Sequence, residues 1–195
     1  MNLLKRKLYR ILFGTFFALL AYFGGWGWSI ACLGFLLVLL VGFEYERRLH
    51  PGLYGWIAAR SGGILKEQPG FFLGDTYFVL AVFFLFVLMP DLSLPLAGLL
   101  FLTFGDAAST LAGSRFGRVQ VYRRKTLEGF LACLAVTTIL AGLLSRLPRH
   151  SLDFGVGFAG AATASLAELF DLPPDDNFSV PVLSALIMLV LGFFV

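Results

Sequence analysis

Residues 72–89 read FLGDTYFVLAVFFLFVLM, an apolar run interrupted by a single charged side chain, Asp75. About 20 apolar residues in a helix cross a hydrocarbon core of about 30 Å, so this run predicts a transmembrane helix. The rest of the chain has the same character: 58% of its 195 residues are hydrophobic and 14% are charged, with a mean hydropathy of +0.86. Because soluble domains carry about 25% charged residues, the composition excludes an ordinary soluble protein.

Seven apolar runs predict an all-α, polytopic integral membrane protein with about seven transmembrane helices in one domain, residues 1–195. The predicted segments are Leu8–Phe23, Trp28–Phe43, Phe72–Met89, Leu94–Gly113, Glu128–Leu144, Leu152–Phe170 and Phe178–Val195. Gly24–Gly27 joins the first two, which predicts a tight helical hairpin with Trp26 and Trp28 in the interfacial aromatic belt. Cys32 and Cys133 lie inside apolar runs, so neither a disulfide framework nor a zinc site is indicated.

The positive charges fall mainly on one side of the predicted helices. Of the 15 Lys and Arg, 13 lie in the N-terminus and in the loops Glu44–Phe71 and Ser114–Leu127. Because cytoplasmic loops are enriched in Lys and Arg, we expect these segments and the Asp171–Asn177 loop in the cytoplasm, and the C-terminus outside. Within the first of these loops, Leu53–Ala59 predicts a short amphipathic helix along the interface.

A carboxylate, Asp106, lies among small residues near the cytoplasmic end of the fourth segment. A charge at the bilayer centre costs about 2.5–3.5 kcal/mol on insertion scales, so such a residue usually has a partner or a function. Gly105, Ser109 and Gly113 recur at four-residue spacing, which is typical of close helix packing. A purely structural role is the alternative for Asp106.

More polar residues stand where helices begin or end on the same side. The Ser114–Leu127 loop contains five cations, which at a membrane surface fix topology or bind anionic lipid. Lys125 and Glu128 are at i and i+3 where the fifth helix begins, so we expect their side chains to meet on one face. Glu168 nearly ends the sixth helix, and Asp175–Asn177 opens the seventh, where Asp or Asn is a favoured N-cap.

Together these positions predict a polar cluster at the cytoplasmic interface. Its members are Asp106, Lys125, Glu128, Glu168, Asp176 and Asn177. Mg²⁺ takes oxygen ligands and shares them with substrate phosphates, and phosphoryl transfer needs chiefly positioning and charge neutralisation. The sequence contains neither a Walker A nor a G-x-G-x-x-G loop, so a nucleotide is bound by a different design.

Four stretches follow one another in a specific order over about half of the chain. They are Phe104–Ser109 with Gly113–Gly117, then Lys125–Gly129, then Glu168, then Asp175–Pro181. In this combination they resemble the membrane-embedded CTP-dependent lipid kinases, which include dolichol (polyprenol) kinase, phytol kinase and fungal-type diacylglycerol kinase. Arg6–Arg10 also resembles that family's opening, except that Arg10 stands where a His is expected.

The resemblance implies CTP as phosphate donor, Mg²⁺ as cofactor and a membrane lipid alcohol as acceptor, with no nucleic acid partner. It implies that Asp106 and Asp176 are Mg²⁺ ligands and that Lys125 contacts the triphosphate, with Glu128 and Glu168 completing the catalytic set. The residues placed at the nucleotide are Gly105, Ser109, Gly113, Arg115, Gly117, Lys125, Thr126 and Asn177. The expected location is the plasma membrane of a prokaryote, or the endoplasmic reticulum or an organelle membrane of a eukaryote, with the active site cytoplasmic.

Two alternatives remain at this point. The first is a phosphatidate cytidylyltransferase, because these enzymes are distantly similar through shared Gly-Asp and Lys-x-x-Glu-Gly motifs. They join CMP to a lipid phosphate and release pyrophosphate. The Asp175–Pro181 stretch and the small size favour the kinase. The second alternative is a transporter in which the intramembrane charges form a pathway, although the chain shows no inverted repeat.

Overall fold

The computed structural model describes residues 3–61, 71–89, 91–148 and 152–194. Its helices are α1 Leu3–Leu19, α2 Gly25–Leu49, α3 Pro51–Arg60, α4 Gly74–Leu88, α5 Ser93–Leu100, α6 Asp106–Phe116, α7 Leu127–Leu144, α8 Phe154–Phe170 and α9 Asp176–Gly192. π-helical turns at Leu20–Gly24 and Phe101–Gly105 join α1 to α2 and α5 to α6. Strands β1 Gln120–Tyr122 and β2 Lys125–Thr126 pair antiparallel in a short ribbon.

The first two helices form the legs of a helical hairpin that turns at Gly25. This residue has a φ of +79°, a conformation that glycine adopts readily and residues with a Cβ disfavour. Arg10 of α1 lies beside Gly74, where α4 begins. Trp26, at the start of α2, instead donates from Nε1 to the carbonyl oxygen of Phe86, near the end of α4 (2.5 Å). Later in α2, Glu44 accepts a hydrogen bond from the backbone N–H of Leu73, beside the start of α4. The two legs are therefore antiparallel, as predicted, although α2 begins at Gly25 rather than at Trp28.

Small residues allow the other helices to pack closely. A Cβ on Gly105 would lie 3.0 Å from Cys133 Sγ, where the 93–116 helix meets α7. A Cβ on Gly160 of α8 would lie 2.5 Å from Met188 Sδ of α9. Such contacts, typical of membrane helices, continue through the pairs α6–α7, α7–α8, α8–α9, α2–α4 and α4–α9. The core lies between them, and its largest fully buried apolar side chains are Leu33, Phe86, Leu99, Phe101 and Met188.

Three helical stretches are long and apolar enough to cross a membrane, and three further apolar helices are shorter. The long ones are Leu4–Leu49, Ser93–Phe116 and Leu127–Leu144, and the shorter ones are Gly74–Leu88, Phe154–Phe170 and Asp176–Gly192. Because the first stretch contains both legs of the hairpin, the described residues form seven legs. The helical membrane fold is thus confirmed, whereas the orientation of the N-terminus stays a prediction.

Two details differ from the expectation. The predicted Glu44–Phe71 loop is wrong at its start, because α2 continues to Leu49 and buries Glu44 at 2% exposure. The all-α prediction also omitted the ribbon between α6 and α7. The short helix expected at Leu53–Ala59 is present as α3, while residues 62–70 of that loop lie outside the described part of the chain.

Candidate active site

Three carboxylates predicted for the site meet at one end of the helical bundle. Asp106 begins α6, Glu168 lies near the end of α8, and Asp176 begins α9. One oxygen of each lies within 4.8 Å of the other two. Asp106 and Glu168 are buried, at 7% and 1% exposure, and Asp176 is half-buried. Three acidic groups at this separation repel one another unless cations neutralise them.

Local structure explains how two of these carboxylates reach the cluster. The side chain of Asp175 is the N-cap of α9 and accepts a hydrogen bond from the backbone N–H of Asn177 at 3.0 Å. The predicted capping by one residue of this acidic pair is therefore confirmed, and Asp176 is left to project into the cluster. Asp106 follows directly after the π-helical turn Phe101–Gly105, and π-bulges often occur at functional sites.

Cations from α1 and from β2 lie beside the three carboxylates. Lys7 Nζ lies 2.6 Å and 2.5 Å from the two carboxylate oxygens of Asp106, and Arg10 donates to the same carboxylate at 3.2 Å. Lys125 Nζ lies 2.5 Å from Glu168 Oε1 and 4.0 Å from Asp176 Oδ2. Each acidic group thus has a basic partner or neighbour, as burial of charge requires.

The environment keeps Lys125 charged. Burial alone would lower the pKa of its ammonium group, but the carboxylate of Glu168 opposes this effect and raises the pKa above its ordinary value. The side chain is about one quarter exposed. Lys125 therefore provides a fixed positive charge that reaches both the acidic cluster and the space beside it.

That space is a cleft of about 450 Å³, here called the cationic cleft. Its lining residues are Arg6, Ser109, Thr110, Gly113, Ser114, Arg124, Lys125 and Thr126. Three cations and four hydroxyl groups in one cleft can donate hydrogen bonds to phosphate oxygens. Four of the residues expected at the nucleotide line it: Ser109, Gly113, Lys125 and Thr126.

The other residues expected at the nucleotide lie elsewhere. Gly105 packs on α7, and Asn177 is buried with its amide donating to Asp175 at 2.5 Å. Arg115 and Gly117 line a second cleft of about 360 Å³, together with Phe116, Arg118 and Glu128. Gly105, Gly113 and Gly117 each face a close neighbour, so the structure gives all three a packing role, and their contact with a nucleotide stays a prediction.

Glu128 does not join the carboxylate cluster in this geometry. Its Oε1 accepts hydrogen bonds from the backbone N–H groups of Arg118 at 3.0 Å and Val119 at 3.2 Å. The expected pairing of Lys125 with Glu128 is wrong because α7 begins only at Leu127. Lys125 belongs to β2 and points towards Glu168, so the two residues do not share a helix face.

The cluster also contains two residues that the sequence interpretation left outside it, Lys7 and Arg10. In the sequence they indicated membrane topology and, within Arg6–Arg10, a resemblance to the opening of the lipid kinases, but no place in the site. Their position on α1 contained a signal, since spacings of three and four residues place them in line with Gly14 and Phe17. Lys7, Gly14 and Phe17 are buried, so this stripe faces the protein and not the lipid.

The chemistry of the cluster fits a magnesium ion. Asp106, Glu168 and Asp176 supply the carboxylate oxygens that Mg²⁺ prefers. Glu168 is buried, and its Oε2 has no hydrogen-bond partner among the residues that the structure describes. A buried carboxylate oxygen without a partner is unfavourable, and coordination of a cation would satisfy it. Glu168 thereby joins the two predicted ligands as a candidate.

One curated relative is similar to most of the chain. CTP-dependent diacylglycerol kinase 1 of Eremothecium gossypii is 28% identical over 185 residues, which cover 78% of this chain and 57% of the relative. The chain therefore corresponds to little more than half the length of that protein. No family model and no solved structure matches it. The sequence comparison thus places the chain beside a CTP-dependent lipid kinase, in agreement with the family that its motifs resemble.

Proposed function

We propose that this protein is a CTP-dependent lipid kinase that transfers the γ-phosphate of CTP to the hydroxyl group of a membrane lipid alcohol. The observation that carries the proposal is the junction of the carboxylate cluster with the cationic cleft at one end of a membrane helix bundle. The similarity to a CTP-dependent diacylglycerol kinase supports the donor and the kind of acceptor.

Asp106, Glu168 and Asp176 would hold Mg²⁺, which supplies charge neutralisation at the transferring phosphate when bound. Lys125 borders both the cluster and the cationic cleft, so its ammonium group can contact a phosphate while remaining close to Glu168. Arg6 and Arg124 add positive charge along the same cleft. Positioning and neutralisation of this kind are the main contributions of proteins to phosphoryl transfer.

The acceptor reaches the cluster from the lipid side in this proposal. The outer face of α1 exposes Leu4, Leu8 and Leu12 at 62%, 55% and 64%, while Lys7 on its inner face contacts Asp106. Only the thickness of one helix therefore separates the carboxylates from the acyl chains. A lipid hydroxyl near this helix can approach the cluster while its tail stays in the bilayer, and one of the carboxylates takes its proton.

The orientation follows the distribution of charge. The N-terminal part of α1, the ribbon and the start of α9 all lie at the end of the bundle that carries the cluster. The first part of α1 and residues 114–127, which include the ribbon, contain nine of the 15 Lys and Arg residues, and cytoplasmic segments attract such residues. We therefore assign this end, with the nucleotide, to the cytoplasm.

The test is a transfer assay with purified protein, Mg²⁺ and CTP labelled separately at the α- and γ-phosphates. The acceptors are diacylglycerol, a polyprenol, dolichol, phytol and phosphatidic acid, each in mixed micelles. Transfer of γ-label to an alcohol with release of CDP is expected, and the preferred alcohol defines the substrate. Transfer of α-label to phosphatidic acid with release of pyrophosphate would show a cytidylyltransferase instead. Absence of both transfers would refute the kinase proposal.

A further inference from the structure

The second cleft adjoins the cationic cleft at the end of α6. Gly113 and Thr126 line the cationic cleft, whereas Gly117 lines the second one. The backbone N–H of Gly117 donates to the carbonyl oxygen of Gly113 at 3.1 Å, and a Cβ on Gly117 would lie 2.8 Å from Thr126 Cγ2. The two clefts therefore share one wall, formed where Gly117 packs on Gly113 and Thr126, so one elongated molecule can occupy both.

The second cleft offers a surface suited to a planar ring. The side chain of Phe116 is 62% exposed, and the guanidinium carbon of Arg115 lies 5.5 Å from the centroid of the Phe116 ring. Arg118 lines the same cleft. Nucleobases stack on aromatic rings and on guanidinium planes, and each such contact is sequence-tolerant because every base has a π-face. Stacking alone therefore does not distinguish one base from another.

Glu128 supplies the group that can distinguish them. Its carboxylate is held by the backbone N–H groups of Arg118 and Val119, mainly through Oε1. The contact of Oε2 with Val119 N is long, at 3.4 Å. An ionised carboxylate has about four acceptor positions and no donor, so acceptor positions remain for a ligand in the cleft.

We propose that the second cleft is the nucleobase subsite and that Glu128 selects cytosine by accepting a hydrogen bond from its exocyclic amino group. Cytosine presents an N–H donor at this position, whereas uracil, like thymine, presents a carbonyl acceptor. A carboxylate therefore attracts cytosine and repels uracil. This inference rests on the proposed function, and it reassigns Glu128 from phosphoryl transfer to donor specificity.

The experiment compares kcat/KM for CTP and UTP in the wild type, Glu128→Gln and Glu46→Gln. A glutamine keeps an acceptor oxygen for the backbone of the 118–119 turn and adds an N–H donor for the uracil carbonyl. We expect the preference for CTP to fall about 10- to 100-fold in Glu128→Gln, with part of the change arising from a gain with UTP. Glu46 is an exposed carboxylate on α2, and the same substitution there should leave the ratio unchanged.

The outcomes separate this inference from the kinase proposal. An equal loss with both nucleotides in Glu128→Gln would show that Glu128 only supports the loop, and it would overturn the assignment of the base while leaving the kinase intact. A wild type that uses CTP and UTP equally would also overturn it. A wild type that transfers the γ-phosphate of neither nucleotide would refute the proposed function itself.

Discussion

The substitution Asp106→Asn should abolish activity and also destabilise the protein. Asp106 is 7% exposed and its partner Lys7 is 4% exposed, so the amide would leave a buried ammonium group without its counter-charge. Breaking a buried pair by removing one partner costs about 3–5 kcal/mol. For a chain of this length, a loss of 1 kcal/mol lowers the Tm by about 2–4 °C, so we expect a decrease of about 6–20 °C.

The double variant Lys7→Met with Asp106→Asn is the matched control. Replacing both members of a buried pair is often neutral, so its Tm should return to within a few degrees of the wild-type value while activity stays absent. Unfolding can be followed with a thiol-reactive fluorescent dye, because Cys133 is buried at 1% exposure and becomes reactive as the bundle opens. An Asp106→Asn protein as stable as the wild type would contradict the pair, and a fully active one would remove Asp106 from the site.

Two further substitutions test contacts that hold the helices and loops around the site in place. Gly117→Ala would place a Cβ 2.8 Å from Thr126 Cγ2, which should lower stability by about 1–3 kcal/mol and weaken CTP binding measured by calorimetry. The control is Gly42→Ala, which has open space around it and should leave stability unchanged. Equal stability of the two variants would refute the close contact at Gly117. Glu44→Gln keeps an acceptor for the Leu73 backbone N–H, but it replaces the buried carboxylate oxygen that accepts from Arg47 by an N–H donor. The change should lower stability by about 1.5–3 kcal/mol with unchanged activity per folded molecule, whereas an unchanged Tm would show that the ion pair of Glu44 with Arg47 does not hold the end of α2.

The helical fold was accessible from the sequence because long apolar runs have few alternatives in a membrane. The seven legs follow the seven predicted segments, apart from shifts at their ends. The ribbon was not predicted, since Gln120–Tyr122 and Lys125–Thr126 are too short to show alternation. The ribbon nevertheless directs the side chain of Lys125 towards Glu168. For this reason the sequence alone paired Lys125 with the wrong carboxylate, Glu128.

The carboxylates of the site were easier to predict from the sequence than the cations that pair with them. Asp106, Glu168 and Asp176 were recognised as charged residues at helix ends, and the structure brings them together. Lys7 was counted with other N-terminal cations because charge alone does not distinguish a topology signal from a buried ion pair. That distinction depends on which face of α1 packs inwards, and such a face is defined only by the neighbouring helices.

The contact between Lys7 and Asp106 joins positions 99 residues apart, and Asp176 completes the cluster from still further along the chain. During synthesis the first helix enters the membrane long before α9 has been made. Lys7 and Arg10 therefore meet Asp106 only after the later helices have been inserted, and until then their long side chains can reach the membrane surface near the helix end. Enzymatic activity would consequently report that the last helix has been inserted with the correct topology, which makes this protein suitable as a sensor of complete membrane insertion.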